Sequence, residues 1–179
     1  MACISKLARA IPYNCDSGAI GLNSAIIINK ADIASFSVDG ATMVVSGVTL
    51  ASGAKAYKID TVKRSLVLST ALKVNDGAPN AATHSASIVF TDTVDVAWRQ
   101  VMNSFTNGSF VIIAKPTDGT YPRVYGLYYG LSATAMDNNS HENGNWTTIT
   151  LETPENVIGE DSVAMTVADY DALYAAAVG

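Results

Sequence analysis

Apolar positions along this chain recur mainly at a spacing of two or in short unbroken runs, and turn residues separate the runs. That rhythm predicts strands. Ile20 to Asn29, with Ile26, Ile27 and Ile28, reads as a first strand, and Ile33 to Val38 as a second that stops at the Asp39-Gly40 turn. Thr42 to Leu50 and Lys55 to Val62 are expected to form a hairpin across Ala51-Ser52-Gly53. Ser65 to Val74 and Ser85 to Phe90 continue the series on either side of the loop Asn75 to Asn80. From Phe110 to Thr153 the pattern is strand, a turn at Lys115 to Thr120 containing Pro116 and Asp118-Gly119, strand, Gly130-Leu131-Ser132-Ala133, a polar loop Asp137 to Asn145, and an alternating strand Trp146 to Thr153.

One segment changes period. Val94, Ala97, Trp98, Val101, Met102 and Phe105 fall at i, i+3, i+4, i+7, i+8 and i+11, which predicts a helix over about 93–106 with one apolar stripe. Thr91 or Thr93 can cap its start, and Asn107-Gly108 is expected to end it with a left-handed residue. The stripe, Trp98 included, is read as core in preference to a ligand-binding aromatic. A second helix is expected over about Val167 to Ala177, with Thr166 as N-cap and Asp169 at N3. Residues 1–19 hold no period and contain Pro12, Asn14, Asp16 and Gly18, so they read as an N-terminal arm ahead of one domain over 20–179. The fold class expected is mainly β: an antiparallel sandwich or barrel with one flanking helix and a short C-terminal helix.

Composition narrows the partners. Charged residues make up 15% of the 179, well below the roughly 25% of an average soluble domain, which leaves neutral surface available for self-association. The net charge of −5 argues against an electrostatic nucleic-acid binder. No apolar run approaches a membrane span, and no apolar stretch follows Lys6 and Arg9 to make a signal peptide. Cys3 and Cys15 match no zinc or redox spacing, and two reduced thiols are the default, with pairing left open.

Nothing in the chain spells out chemistry. Ser140-His141-Glu142 offers a nucleophile, a base and a carboxylate, but neighbours in sequence diverge and no nucleophile elbow is present. Asp137 to Glu142 invites a calcium reading, yet Glu142 stands where an EF-hand turn requires glycine. Tyr121, Tyr125, Tyr128 and Tyr129 beside Arg123 could stack on single-stranded nucleic acid, although cross-strand pairing within a sheet is the plainer account. The expectation is no enzyme, no catalytic residue, no metal ligand and no cofactor.

The segment Phe110 to Thr153, with Gly130-Leu131, its polar loop and Trp146 to Leu151, resembles the C-terminal half of tail tube proteins of tailed bacteriophages. Pro12, Cys15-Asp16, Gly21-Leu22 and Ile26 to Asn29 look like the opening of small phage structural proteins. Together these cover about a third of the chain, and the loop Asn138 to Asn143 departs from the compact Gly-Asp type loop of such relatives. The resemblance implies a β-sandwich with a helix on one side that assembles into stacked, usually hexameric rings. Inner sheets would line a lumen, and contacts would extend to other virion proteins of the tail or neck. It implies a virion protein made in the bacterial cytoplasm, with no membrane partner, and DNA passing through without specific binding. A neutral or acidic wall suits that passage; Lys55, Lys58, Lys63 and Arg64, close together in sequence, are the basic cluster that would spoil it if lumenal. The alternatives are a head decoration protein, a head–tail completion ring, a tail hub component, or a carbohydrate-binding or adhesin sandwich.

Overall fold

A computed structural model describes residues 21–59, 61, 65–90, 96–118, 120–138 and 146–179, leaving aside the side chains of 96–98. The expected arm, residues 1–19, lies outside them, as do residues 91–95 with their expected cap, Lys63, Arg64, and the Ser140-His141-Glu142 triplet. Among the described residues eleven strands join in one branched sheet. They are β1 (Leu22–Asn29), β2 (Ile33–Asp39), β3 (Val44–Leu50), β4 (Tyr57–Ile59), β5 (Leu66–Lys73), β6 (Ala81–Phe90), β7 (Ser109–Pro116), β8 (Arg123–Tyr125), β9 (Leu131–Asn138), β10 (Thr147–Glu152) and β11 (Val163–Met165). The helices are α1 (Val96–Asn107) and α2 (Val167–Ala176). The chain is mainly β, as its alternation implies, and the pairings between these strands are antiparallel except β3 with β11.

β1 and β7 form the central wall. Their antiparallel register sets Ala25 opposite Ala114 and Ile27 opposite Ile112. Side chains alternate across a strand, so the unbroken apolar runs Ala25–Ile28 and Phe110–Ala114 feed two cores at once. Ala25, Ile27, Phe110, Ile112 and Ala114 pack with β5, β6, β9, β10 and Phe105 of α1. Ile26, Ile28, Val111 and Ile113 pack with β3, β8, β11 and α2. The far edge of β7 is shared: β9 pairs with Ser109–Phe110, and β8 with Ile112–Ala114. The sheet thus divides at β7 into two half-sheets, β9-β10-β6-β5 and β8-β11-β3-β2.

Local signals survive well. Asp39 Oδ1 accepts from the Ala41 N–H, closing the predicted turn. Thr166 Oγ1 accepts from the Asp169 N–H and its hydroxyl donates to Asp169 Oδ2, which fixes the start of α2. α2 docks through buried Tyr170, whose hydroxyl donates to Ser24 at 2.8 Å, and through the Lys115–Asp171 ion pair at 2.8 Å.

Three expectations are corrected. β4 does not form a hairpin with β3; it lies antiparallel on the edge of β1 left free by β7, while β3 pairs with β2 and β11. The 51–56 connection carries Ala56 into the second core, and the β4 segment is held between β1 and Val178, whose backbone bonds Lys58 and Ala56. Gly108 has no left-handed backbone. Its lack of a side chain matters for space, since a Cβ there would meet the Phe110 ring and the Ser104 carbonyl. The four tyrosines do not share a strand: Tyr121 is exposed in the 117–122 loop, Tyr125 ends β8 buried, and Tyr128 and Tyr129 lie in the following turn. Tyr125 and Tyr128 meet His84 and Phe36 edge-on instead of one another.

Candidate assembly surface

Half-sheet β9-β10-β6-β5 has two contrasting faces. One carries Leu66, Leu68, Ala86, Ile88, Ile149 and Leu151 into the first core. On the other, the register lines up Val67, Ser87, Thr150 and Ala135 in one row, and Ser69, Ser85, Glu152 and Ser132 in the next. A third row holds Val89, Thr148 and Asp137. None of these eleven side chains belongs to either core. Their charges are two carboxylates. The lysine at the corner, Lys73, turns its ammonium onto the carbonyls of Glu155 and Val157.

β5 closes this half-sheet, and no described strand pairs with its outer edge. Its ladder with β6 runs from Leu66 to Lys73 without a register shift. Proteins usually guard such an edge with charge, proline, a bulge or a short strand. β5 has eight residues, no proline and no bulge, and its one lysine is tied back. Val67 is 51% exposed and Leu72 72%; Val74, just past the strand, is exposed too, as is Ile158, whose carbonyl accepts from the Asn75 side chain. By contrast β2, at the other end of the sheet, is broken by two register shifts. Among the described residues the open edge therefore sits on β5.

Of the predicted basic cluster, the two described lysines lie away from this face. Lys58 lies on β4 beside β1, its ammonium 4.9 Å from the centre of the Tyr174 ring. Lys55 is exposed in the connection before it. Asp137 belongs to β9 rather than to the predicted loop, and the rest of the proposed calcium cluster falls among residues 138–142, of which Asn138 bonds Thr147. Among the described residues no group of three His, Cys, Asp or Glu is placed to hold a metal ion. None of the helices described is long and apolar enough to cross a membrane.

Two buried polar side chains escaped the sequence reading. His84 on β6 is 1% exposed, and its Nδ1 accepts from the Gly126 N–H at 3.1 Å. Burial holds its pKa down to about 4. Glu160 is fully buried; its two oxygens accept from the N–H groups of Tyr128 at 2.9 Å and Tyr129 at 2.7 Å. Burial pushes its carboxyl above the usual range, against the pull of those amides and of Lys30. Both partners are main-chain amides distant in sequence, so neither a motif nor a spacing could have marked these residues.

A cavity of about 550 Å³ opens between β1, β4, the end of β6 and α1, walled by Ile27, Ile59, Ile88, Phe90, Phe105 and Phe110. Its described lining brings together no catalytic set.

No protein-family model matches this chain, and no curated protein or solved structure matches it either.

Proposed function

We propose that this protein is a tail tube subunit of a tailed bacteriophage, a structural part whose copies join into stacked rings around a passage for DNA. The observation that carries the reading is the regular, unguarded edge of β5 beside a face of small hydroxyl and acidic side chains. A strand edge of this kind is completed by another strand. A wall of serine, threonine and carboxylate offers phosphates no counter-ions to displace, so DNA can pass without being held. The low charge content and the sequence resemblance agree with this role, which requires no active site. In the proposed ring, β5 meets the sheet of a neighbouring copy, and hexamers are the stoichiometry expected.

Electron microscopy of the concentrated protein tests the reading. Rings or tubes with a central hole are expected for the natural chain, and a loss of rings for Val67→Lys combined with Leu72→Lys. Both positions are exposed, so each substitution should change the unfolding free energy by no more than about 0.5 kcal/mol. A chain that stays monomeric at every concentration, or that binds preformed capsids instead, would assign it to another virion role such as head decoration.

A further inference from the structure

The two half-sheets are joined through a five-residue turn. β8 ends at Tyr125, the chain runs through Gly126–Gly130, and β9 begins at Leu131 on the same edge of β7. The Gly130 N–H donates to the Gly126 carbonyl at 2.9 Å, and both glycines have left-handed backbone, with φ of +75° and +76°. At Gly126 the constraint is double, because a Cβ would meet the Leu131 side chain and the Phe110 carbonyl. Three further N–H groups of this turn, those of Gly126, Tyr128 and Tyr129, end on side chains from elsewhere. Those side chains are His84 and Glu160.

The two acceptors are tied to each other. The backbone of Glu160 bonds Ala82 in both directions, at 2.9 and 2.7 Å, two residues before His84 on β6. The His84 carbonyl accepts from the Thr153 N–H at 2.9 Å, and the His84 N–H donates to Thr153 Oγ1 at 2.8 Å. One half-sheet therefore holds the turn through two groups that can each take up a proton. On the turn, Leu127 is buried in the second core, and the Tyr128 ring meets Phe36 of β2 at 5.8 Å.

We propose that His84 is the proton-operated half of a latch on the joint between the two half-sheets, with Glu160 as its second anchor, closed near neutrality and released in acid. Because Nδ1 accepts, the neutral imidazole carries its proton on Nε2. A second proton on Nδ1 turns that acceptor into a donor facing the Gly126 N–H, and the bond is lost. Glu160 works against release: burial raises its carboxyl in the closed turn, so a proton taken up there favours the closed state and offsets part of the histidine effect. The ionisable neighbours act on both sides. Tyr125 meets the imidazole edge-on at 5.2 Å and interacts with Arg123; Lys30 favours the ionised form of Glu160 and Asp161 opposes it, with Tyr128 beside them. The latch does not depend on what the protein assembles into.

Amide hydrogen exchange of the full chain, followed residue by residue from pH 6.5 to pH 4 and corrected for the intrinsic rate, tests it. Opening that frees His84 should become easier by roughly 30- to 100-fold over this range, as linkage requires of a group moving from about 4 to its ordinary value. The expected result is a loss of protection of that order at Gly126, Tyr128 and Tyr129, while Ile112 and Ile113 in β7 stay protected. The His84→Asn variant places an oxygen that accepts but does not titrate near the Nδ1 position, and should remove most of the change. Imidazole nitrogen shifts of the natural chain show when His84 takes its proton, so the test does not hang on a variant that folds. Turn amides that stay protected once His84 is protonated would overturn the latch. So would parallel loss at Ile112 and Ile113, which would mean global acid unfolding.

Discussion

His84 binds its proton near pH 4 in the folded chain, against about 6.5 when free of its surroundings. Between those values the unfolded chain holds more protons than the folded one, so stability is intact above about pH 6.5 and falls as pH drops toward 4. A shift of this size corresponds to about 3 kcal/mol at its limit. Glu160 works in the opposite sense: its raised carboxyl contributes stability in acid that is lost as pH rises through its folded value, which offsets part of the histidine effect. Asp39 and Asp118, held low by amide and hydroxyl bonds within their own turns, add to the loss on acidification. Urea midpoints at pH 7 and pH 4 should differ clearly for the natural chain and by much less for His84→Asn. Equal slopes for the two would detach His84 from the acid response.

Among the elements, α1 illustrates how a period translates into packing. Of the predicted stripe, Phe105 is buried and Met102 partly so, while Val101 is 40% exposed at the rim. The side chain of Trp98 lies outside what is described. Phe105 sits between Phe90 at 5.3 Å and Phe110 at 5.0 Å, tying the helix to β6 and β7. Phe105→Ala should therefore lower stability by about 3–5 kcal/mol, as truncating a core aromatic does; an unchanged denaturant midpoint would show that α1 is not part of the cooperative core. The residues that announced themselves in the sequence act on near neighbours: Asp39 on Ala41, Thr166 on Asp169, the isoleucines of β1 by their own run. Pairing partners did not announce themselves. β4 has three residues, and the turn that does form at Ala51-Ser52-Gly53, with the Ala54 N–H on the Ala51 carbonyl at 3.0 Å, does not commit it to β3; it takes the edge of β1 that β7 leaves free. The same limit hid Glu160, whose acceptor role depends on a turn made by residues 126–130.

For the whole molecule, 16 acidic residues stand against 11 basic ones. The hydroxyl face of half-sheet β9-β10-β6-β5 carries Glu152 and Asp137, and the described lysines of the basic cluster lie elsewhere. Assembled protein titrated with labelled duplex at two salt concentrations should bind more weakly than the roughly 10⁻⁴–10⁻⁶ M of ordinary nonspecific binders. Tight, steeply salt-dependent binding would mean that lysines and arginines are presented to DNA, and would rule out a non-adhesive passage.

The central wall also sets a timetable. β1 emerges early from the ribosome, but its partner β7 is complete only when residue 116 has been made, and both cores are built on that pairing. Until then the β5–β6 ladder has no wall to close against, and its apolar side chains wait in water. Contacts so distant along the chain are slow to form and leave the partly made protein open to association. Chains arrested at Gly108 should accordingly be cut readily by protease at the β5–β6 segment, and chains extended past residue 176 should resist. Early protection of the shorter chain would show that half of this fold can stand before its wall exists.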